Sequence, residues 1–327
     1  MAALNISAVI PAYNSAAFLP AAINSILKQT FPVDEIIVVD DGSYDDTQKV
    51  LGPFANQITY VYQENAGPSA ARNKGIVTAK GNWIAFLDAD DQWTTKKIET
   101  QVNWIKKNSD LALIAGDMSE ISPKMEILVP SVLTRHGLRP FFTKYQYMAI
   151  PDAMHMLLQK NFIPTGTVLV RKDVLTAVGA FNPQIRYGED LELWAKIAAT
   201  HAIACIPEVL MLRTRHETNA TSATENMLKD LAQVMLSLEK WVKSNTIETE
   251  TDLDFYISRA WTDLAYFNFS RGYLKQAKQY FLNSYIAKPS VKAFIYYTAS
   301  LLPPGVIAQI RNTKMLLQKF YSKETPC

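Results

Sequence analysis

The sequence predicts an α/β protein: a Rossmann-like, doubly wound, mostly parallel sheet flanked by helices, followed by an all-helical C-terminal region. Three observations carry this. Short apolar strand patterns alternate with helical spacings through the first 116 residues, carboxylates and amides stand directly behind the strand patterns, and from about Glu225 strand patterns vanish while helical apolar faces continue. The expected division is 1–222 for the sheet domain and 223–327 for the helical region. A chain of 327 residues with 48% hydrophobic content can bury more than one core.

In chain order, Ile6 to Pro11 is a β-branched apolar run, and Ala16 to Gln29 places Phe18, Leu19, Ala22, Ile23, Ile26 and Leu27 at helical spacing. Glu35 to Val39 is a strand that ends in Asp40-Asp41-Gly42-Ser43, with a helix from Asp45 or Asp46 towards Leu51. Ile58 to Tyr62 is the third strand. Gly67-Pro68 opens a helix to Ala79, with proline at an early position where no N–H is missed. Trp83 to Leu87 is a short buried strand, Thr95 to Lys107 a helix, and Leu111 to Gly116 a further strand. Ile163 to Val170 reads as a strand, and Glu189 leads a helix through Ala199. Met227 to Val242 and Asp254 to Phe269 are amphipathic helices.

Composition excludes several classes. A formal net charge of +2 leaves no electrostatic footprint for nucleic acid. Cys205 and Cys327 make neither a disulfide framework nor a metal-ligand spacing. The N-terminus lacks a basic segment followed by a sustained apolar run, so no signal peptide is expected. Phe294 to Ile310 is broken by Pro303-Pro304-Gly305, so no spanning helix is expected. A cytoplasmic chain is the expectation, with the inner face of the cytoplasmic membrane as the other place it could work.

The chemistry concentrates where strands end. Asp88, Asp90 and Asp91 follow an apolar run with a single small residue between the first two. Clustered carboxylates stay ionised only beside a cation. Hard oxygen ligands favour Mg2+ or Mn2+, which keep part of their shell for water and substrate phosphate. A solvated acidic turn is the plain alternative. Asp41 can accept from the N–H of a nucleotide base. Arg72, one turn into its helix, suits a diphosphate or an ion pair with Asp41.

Together these stretches resemble a known family. Ala8-Val9-Ile10-Pro11-Ala12-Tyr13-Asn14, Ile36 to Ser43, Asn65-Ala66-Gly67-Pro68-Ser69-Ala70-Ala71-Arg72-Asn73 and Phe86-Leu87-Asp88-Ala89-Asp90-Asp91 form the ordered signature of inverting glycosyltransferases of family two, with the GT-A fold. Gly188-Glu189-Asp190-Leu191-Glu192-Leu193-Trp194 resembles the family's acid motif. Arg213-Thr214-Arg215-His216, with Asn219 and Ser222 behind it, resembles the loop that closes over the donor diphosphate.

The resemblance implies roles. Asp41 reads uracil, with Tyr13 and Arg72 lining the base pocket and Pro11, Ala12, Asn65, Gly67 and Ala89 completing the donor site. Asp88 contacts the ribose or a metal-bound water. Asp90 holds a divalent ion, Mn2+ or Mg2+, with His216 at the same centre. Arg213, Arg215 and Ser222 belong to the diphosphate lid. Asp190, beside Glu189, is the general base that accepts the proton of an attacking hydroxyl, and a single displacement turns an α-linked donor into a β-glycoside. The implied donor is a UDP-sugar ahead of a GDP- or dTDP-sugar, and the acceptor a glycan, glycolipid or small-molecule hydroxyl, in surface polysaccharide or glycolipid synthesis.

Plain readings stand beside these. Glu189, Asp190 and Glu192 also suit the positive end of a helix dipole, Trp194 suits core packing, and a lone histidine such as His216 is often a surface residue. Leu264-Ala265, Gly272-Tyr273, Ala277, Tyr280-Phe281 and Pro289 resemble one tetratricopeptide-type hairpin, which must pack on something else to bury its face. Arg311 to Lys323 is basic and amphipathic, suited to an anionic membrane surface or to closing the domain, the second being the better reading. The alternative function is a non-catalytic nucleotide-sugar-binding or scaffolding protein acting through its helical C-terminal region.

Overall fold

The computed structural model describes residues 4–216, 224–302 and 305–306. Among them nine strands form one sheet: β1 Ile6–Ala12, β2 Glu35–Asp41, β3 Thr59–Gln63, β4 Trp83–Phe86, β5 Gln92–Trp93, β6 Leu111–Ile121, β7 Ile127–Val129, β8 Leu169–Arg171 and β9 Ala202–Thr214. Their order is β3-β2-β1-β4-β8-β6-β9-β5, with β7 paired to β6 off this path.

The first half is the parallel sheet that the alternation predicts, β2 and β4 flanking β1 and β3 beyond β2. Strands buried on both faces need continuous apolar runs, which β1 and β2 supply. The second half is mixed. β8 runs antiparallel to both β4 and β6, β6 and β9 are parallel, and β5 is antiparallel to β9. The predicted strand Ile163 to Val170 is therefore shorter and begins with a turn. Thr165–Thr167 is a single 3-10 turn, closed by Thr167, whose N–H and Oγ both donate to the Pro164 carbonyl at 2.9 and 2.8 Å. β9, which no sequence pattern announced, carries Pro207 and Glu208 at a register shift, where Ile206 faces Gly116 and Val209 already faces Asp117.

Helices are held by the apolar spacing read from the sequence. Helix Leu19–Leu27 buries Leu19, Ala22, Ile23 and Ile26 in the core that also contains Ile6, Ile10, Val38 and Trp104. Helix Pro68–Thr78 packs on β1 and β2 at close range: a Cβ on Gly75 would stand 2.3 Å from Cγ1 of Val9. That approach fixes where the first turn of this helix lies.

The chain divides into two compact units, Met1–Thr221 with Val242–Thr251, and Ser222–Trp241 with Asp252–Cys327. Residues 242–251 thus join the sheet unit after a first passage through the helical one. In the second unit, helices Leu253–Ser270 and Leu274–Ala287 make a hairpin across Gly272, and helix Val291–Ala299 adds Tyr296, stacked on Phe281 at 5.3 Å. Ala265, Ala277 and Phe281 form its small core. Among the described residues no helix is long and apolar enough to cross a membrane. The basic segment Arg311 to Lys323 lies outside the described residues.

Candidate active site

The carboxyl ends of β1, β2 and β4 and the loop after β3 open on one cavity of about 710 Å³. In an open α/β sheet this is where ligands bind. Pro11, Ala12 and Tyr13 contribute one wall, and Asp41, Asn65 and Gly67 another. The two loops are laced together: the Asn14 N–H donates to Ser43 Oγ at 2.9 Å, and the Tyr44 N–H donates to Asn14 Oδ1 at 3.0 Å. Tyr13 stays half exposed, with Tyr44 set edge-on at 6.1 Å.

Asp41 is the anchor of the second wall. Its Oδ1 accepts from Gln63 Nε2 at 2.7 Å and from the Ala66 N–H at 2.9 Å, and its Oδ2 accepts from the Gly67 N–H at 2.8 Å. Gly67 takes φ +90, which favours glycine, immediately before Pro68 starts its helix. A carboxylate can accept about four bonds, so Asp41 keeps capacity for a ligand donor after fixing this loop.

Arg72 is the hub of the site. Its side chain is only 7% exposed, its Nη2 reaches Asp88 Oδ1 at 2.8 Å and its Nη1 reaches Glu189 Oε1 at 3.0 Å. Its guanidinium lies over the Phe181 ring at 5.2 Å, and the two carboxylates drive its pKa upward despite burial. The expected pairing with Asp41 is not made, because Asp41 spends its oxygens on the Ala66-Gly67 backbone while Arg72 points to the next strand end. The neighbouring Asn73 exchanges two hydrogen bonds with the Phe181 backbone, 2.7 and 3.0 Å. One helical turn therefore holds both the strand-end acid and the loop leading to the acid motif.

The three acids after β4 separate into three tasks. Asp88 pairs with Arg72. Asp90 Oδ2 lies 2.9 Å from His216 Nε2. Asp91 is 5% exposed, accepts from the Thr214 N–H at 2.9 Å, and burial beside Asp90 and Asp88 pushes its carboxyl well above the usual range. By binding the end of β9, Asp91 brings His216 back to Asp90, and Phe18 stacks on the imidazole at 5.0 Å. Asp88, Ala89, Asp90, Arg72 and His216 all line the same cavity. Among the described residues no three His, Cys, Asp or Glu side chains converge into a ready-made metal cage. The Asp90 and His216 pair offers one oxygen and one nitrogen, which fits a divalent ion whose remaining ligands come from phosphate and water.

The acid motif stands behind Arg72 at the start of helix Glu189–Thr200, whose preceding Gly188 takes φ +84. Burial and the charge of Asp190 raise Glu189 to about 7, even with Arg72 opposing. Burial also raises Asp190, whose Oδ2 accepts from Asn161 Nδ2 at 3.2 Å. Trp194 is fully buried against Phe86 and Phe181, as core packing.

Arg213 and Arg215 are placed elsewhere: they line a second cavity of about 280 Å³ with Asn161 and Glu120, and share no wall with the first. Ser222 and Asn219 lie outside the described residues. Sequence reasoning also missed residues that the fold delivers. Phe18, Asn161 and the Pro183 to Arg186 turn had no signal of their own, although Gly179-Ala180-Phe181-Asn182 marked the turn that leads there.

A family model, glycosyl transferase family 2, matches residues 7–162. The putative teichuronic acid biosynthesis glycosyltransferase TuaG of Bacillus subtilis is 37% identical over 198 residues, 59% of this chain and 71% of TuaG. The chain belongs to glycosyl transferase family 2 and is a glycosyltransferase. A UDP-Glc:alpha-D-GlcNAc-diphosphoundecaprenol beta-1,3-glucosyltransferase, WfgD of Escherichia coli, is 29% identical over 228 residues, 69% of this chain and 82% of WfgD. Among solved structures, S. aureus TarS 1–349 in complex with UDP-GlcNAc shares the fold with a TM-score of 0.62 at 17% identity, covering 94% of this chain and 88% of that one. The architecture is thus of the GT-A kind, with a helical C-terminal region.

Proposed function

We propose that this glycosyltransferase moves a sugar from a UDP-sugar to a hydroxyl of a carbohydrate acceptor, with inversion, in the synthesis of a surface polysaccharide or glycolipid. One observation supports this reading above the others: a nucleotide-sized cavity holding Asp41, Asp88, Asp90 and His216 is joined through Arg72 to Glu189 and Asp190. The UDP-sugars of WfgD and TarS, and the lipid-linked acceptor in the name of WfgD, point the same way.

In this reading the base lies against Asp41 and Tyr13, and the diphosphate lies by Asp90 and His216. Asp90 and His216 would hold a divalent ion, Mn2+ or Mg2+, which when bound offsets charge on the phosphates. Asp190 accepts the proton as the acceptor oxygen attacks the anomeric carbon. The new C–O bond forms as the bond to the diphosphate breaks, and UDP departs with the electron pair, so an α-linked donor gives a β-linked product. Arg72 keeps Glu189 and Asp88 in place and spreads a positive field towards Asp190, which lets a buried carboxylate ionise.

The test needs no known acceptor. Slow UDP release from a panel of UDP-, GDP- and dTDP-sugars is measured with Mn2+ or Mg2+, with EDTA, and in Asp90→Ala. Turnover of one UDP-sugar that EDTA and Asp90→Ala both abolish is the expected result. Turnover untouched by EDTA removes the metal from the proposal, and turnover of only GDP- or dTDP-sugars replaces the donor.

A further inference from the structure

The second cavity carries charge that the donor reading does not use. Its floor is Glu120, only 3% exposed, whose Oε2 takes Arg135 Nη1 at 3.1 Å and Arg215 Nε at 3.8 Å. Arg213 enters from β9 on the same wall, and its charge also acts on the buried Asp91 behind β4. The other acid there, Asp117, is committed to a turn, accepting from the Leu133 N–H at 3.0 Å and from Ser131 Oγ. Three guanidiniums thus face two carboxylates, one of which is already enclosed by hydrogen bonds. Burial first, and then the charges of Lys160 and Arg135 against that of Glu120, hold the His136 imidazole on this wall below its usual range.

The location gives this charge a purpose. Asn161 is one of the residues that line the cavity, and its Nδ2 donates to Asp190 Oδ2 at 3.2 Å. Through Asn161 the cavity is one hydrogen bond away from the carboxylate that is to deprotonate the acceptor. At about 280 Å³ the cavity suits a single sugar or phosphate unit and not a nucleotide. Guanidinium forks match phosphate oxygens in pairs.

We propose that this cavity is the acceptor subsite, that it takes a phosphate-bearing carbohydrate, and that Arg213 meets the phosphate. The proposal rests on the transferase reading above. It gives Arg213 a different task from closing over the donor diphosphate, and the two tasks predict different losses.

The full chain is titrated calorimetrically with UDP, and then, with and without saturating UDP, with four probes: an alkyl hexosyl diphosphate, a glycerol phosphate oligomer, an alkyl hexuronide and the neutral alkyl hexoside. At least one phosphate probe should bind alongside UDP, weakening about 10- to 100-fold in Arg213→Ala, as loss of a charged hydrogen bond implies. Arg213→Lys should recover part of that loss, and UDP affinity should stay at the wild-type value in both variants. A preference for the alkyl diphosphate identifies a lipid-linked acceptor, and a preference for the oligomer a phosphodiester polymer. Binding of phosphate probes that is equal in Arg213→Ala, or no tighter than the neutral hexoside, overturns the proposal. So does Arg213-dependent binding of the hexuronide alone, or a fall in UDP affinity in Arg213→Ala. Failure of wild type to bind UDP, with phosphate probes still bound through Arg213, would overturn the donor reading and leave this subsite standing.

Discussion

The parallel strands β3-β2-β1-β4 and the mixed strands β8-β6-β9 meet at the β4–β8 pairing, and they hold functional residues by different means. On the parallel side each residue stands at a strand end or a few positions beyond it, held by short loops that bond to one another, as Asp41 does to Ala66 and Gly67. On the mixed side the wall is gathered from Glu120, Arg135, Asn161 and Arg213, which come from separate elements. The first cavity is built mainly from the loops behind β1 to β4, with His216 and the Pro183 to Arg186 turn added from the mixed side, and the second cavity is gathered wholly from the mixed side. A change to one residue of the first cavity should therefore have local effects unless it lies on a link between the halves, and Arg72, paired with Asp88 and Glu189, is the charged link, beside Asp90–His216 and Asp91–Thr214.

The largest effect is expected at Arg72. Arg72→Met leaves Asp88 and Glu189 facing each other without the buried guanidinium, which should cost about 3 kcal/mol or more of stability by denaturant unfolding. Donor turnover should fall as well. Arg72→Lys should not restore either, because an ammonium cannot span two carboxylates on a fixed fork. Full stability in Arg72→Met would dissolve the bridge.

A smaller and more local loss is expected at Asp41. Asp41→Ala strands the Gln63 amide and the Ala66 and Gly67 N–H groups, so UDP affinity should fall about tenfold or more. Binding of phosphate probes in the second cavity should be unchanged, which sharpens the distinction between the halves.

The smallest effect is on pH dependence. Glu189 is raised from 4.5 to about 7 in the folded chain, so the native state favours its protonated form. Its contribution to stability is fully present below pH 4.5 and is lost as pH rises through about 7. Glu189→Gln should lack this decline when unfolding is followed across that window. The raised Asp190 sets the matching activity trend: kcat/KM should climb with pH as that carboxyl ionises, over a range above the ordinary aspartate value.

Legibility in the sequence follows the same division. β1, β2 and β4 were readable because parallel strands buried on both faces make continuous apolar runs, the partly exposed β3 by its aromatic and β-branched residues, and Asp41, Asn65, Asp88 and Asp90 because each stands at or just behind a strand end. β9 was hidden by Pro207 at its register shift, and β8 was read as part of a strand from Ile163 to Val170 whose first half is the Thr165–Thr167 turn. Of the two partners read for Arg72, a diphosphate or Asp41, the contact with Asp41 is not made, and its pairing with Glu189 was out of reach because an ion pair between residues 72 and 189 has no local signature. The grouping of Arg135 with Arg213 follows from the β6–β9 register, which sets Glu120 opposite Arg213, and from the Arg135–Glu120 ion pair, which spacing along the chain cannot express.

The central claim is that donor binding and proton removal belong to different halves joined at Arg72, and Asp190→Asn tests it most directly. Sugar transfer, or donor hydrolysis where no acceptor is known, should fall about 10²- to 10⁴-fold, as loss of a general base implies. UDP affinity, measured on the same preparation, should match wild type. Transfer that persists in Asp190→Asn, or a loss of UDP binding in proportion to the loss of turnover, would contradict the account.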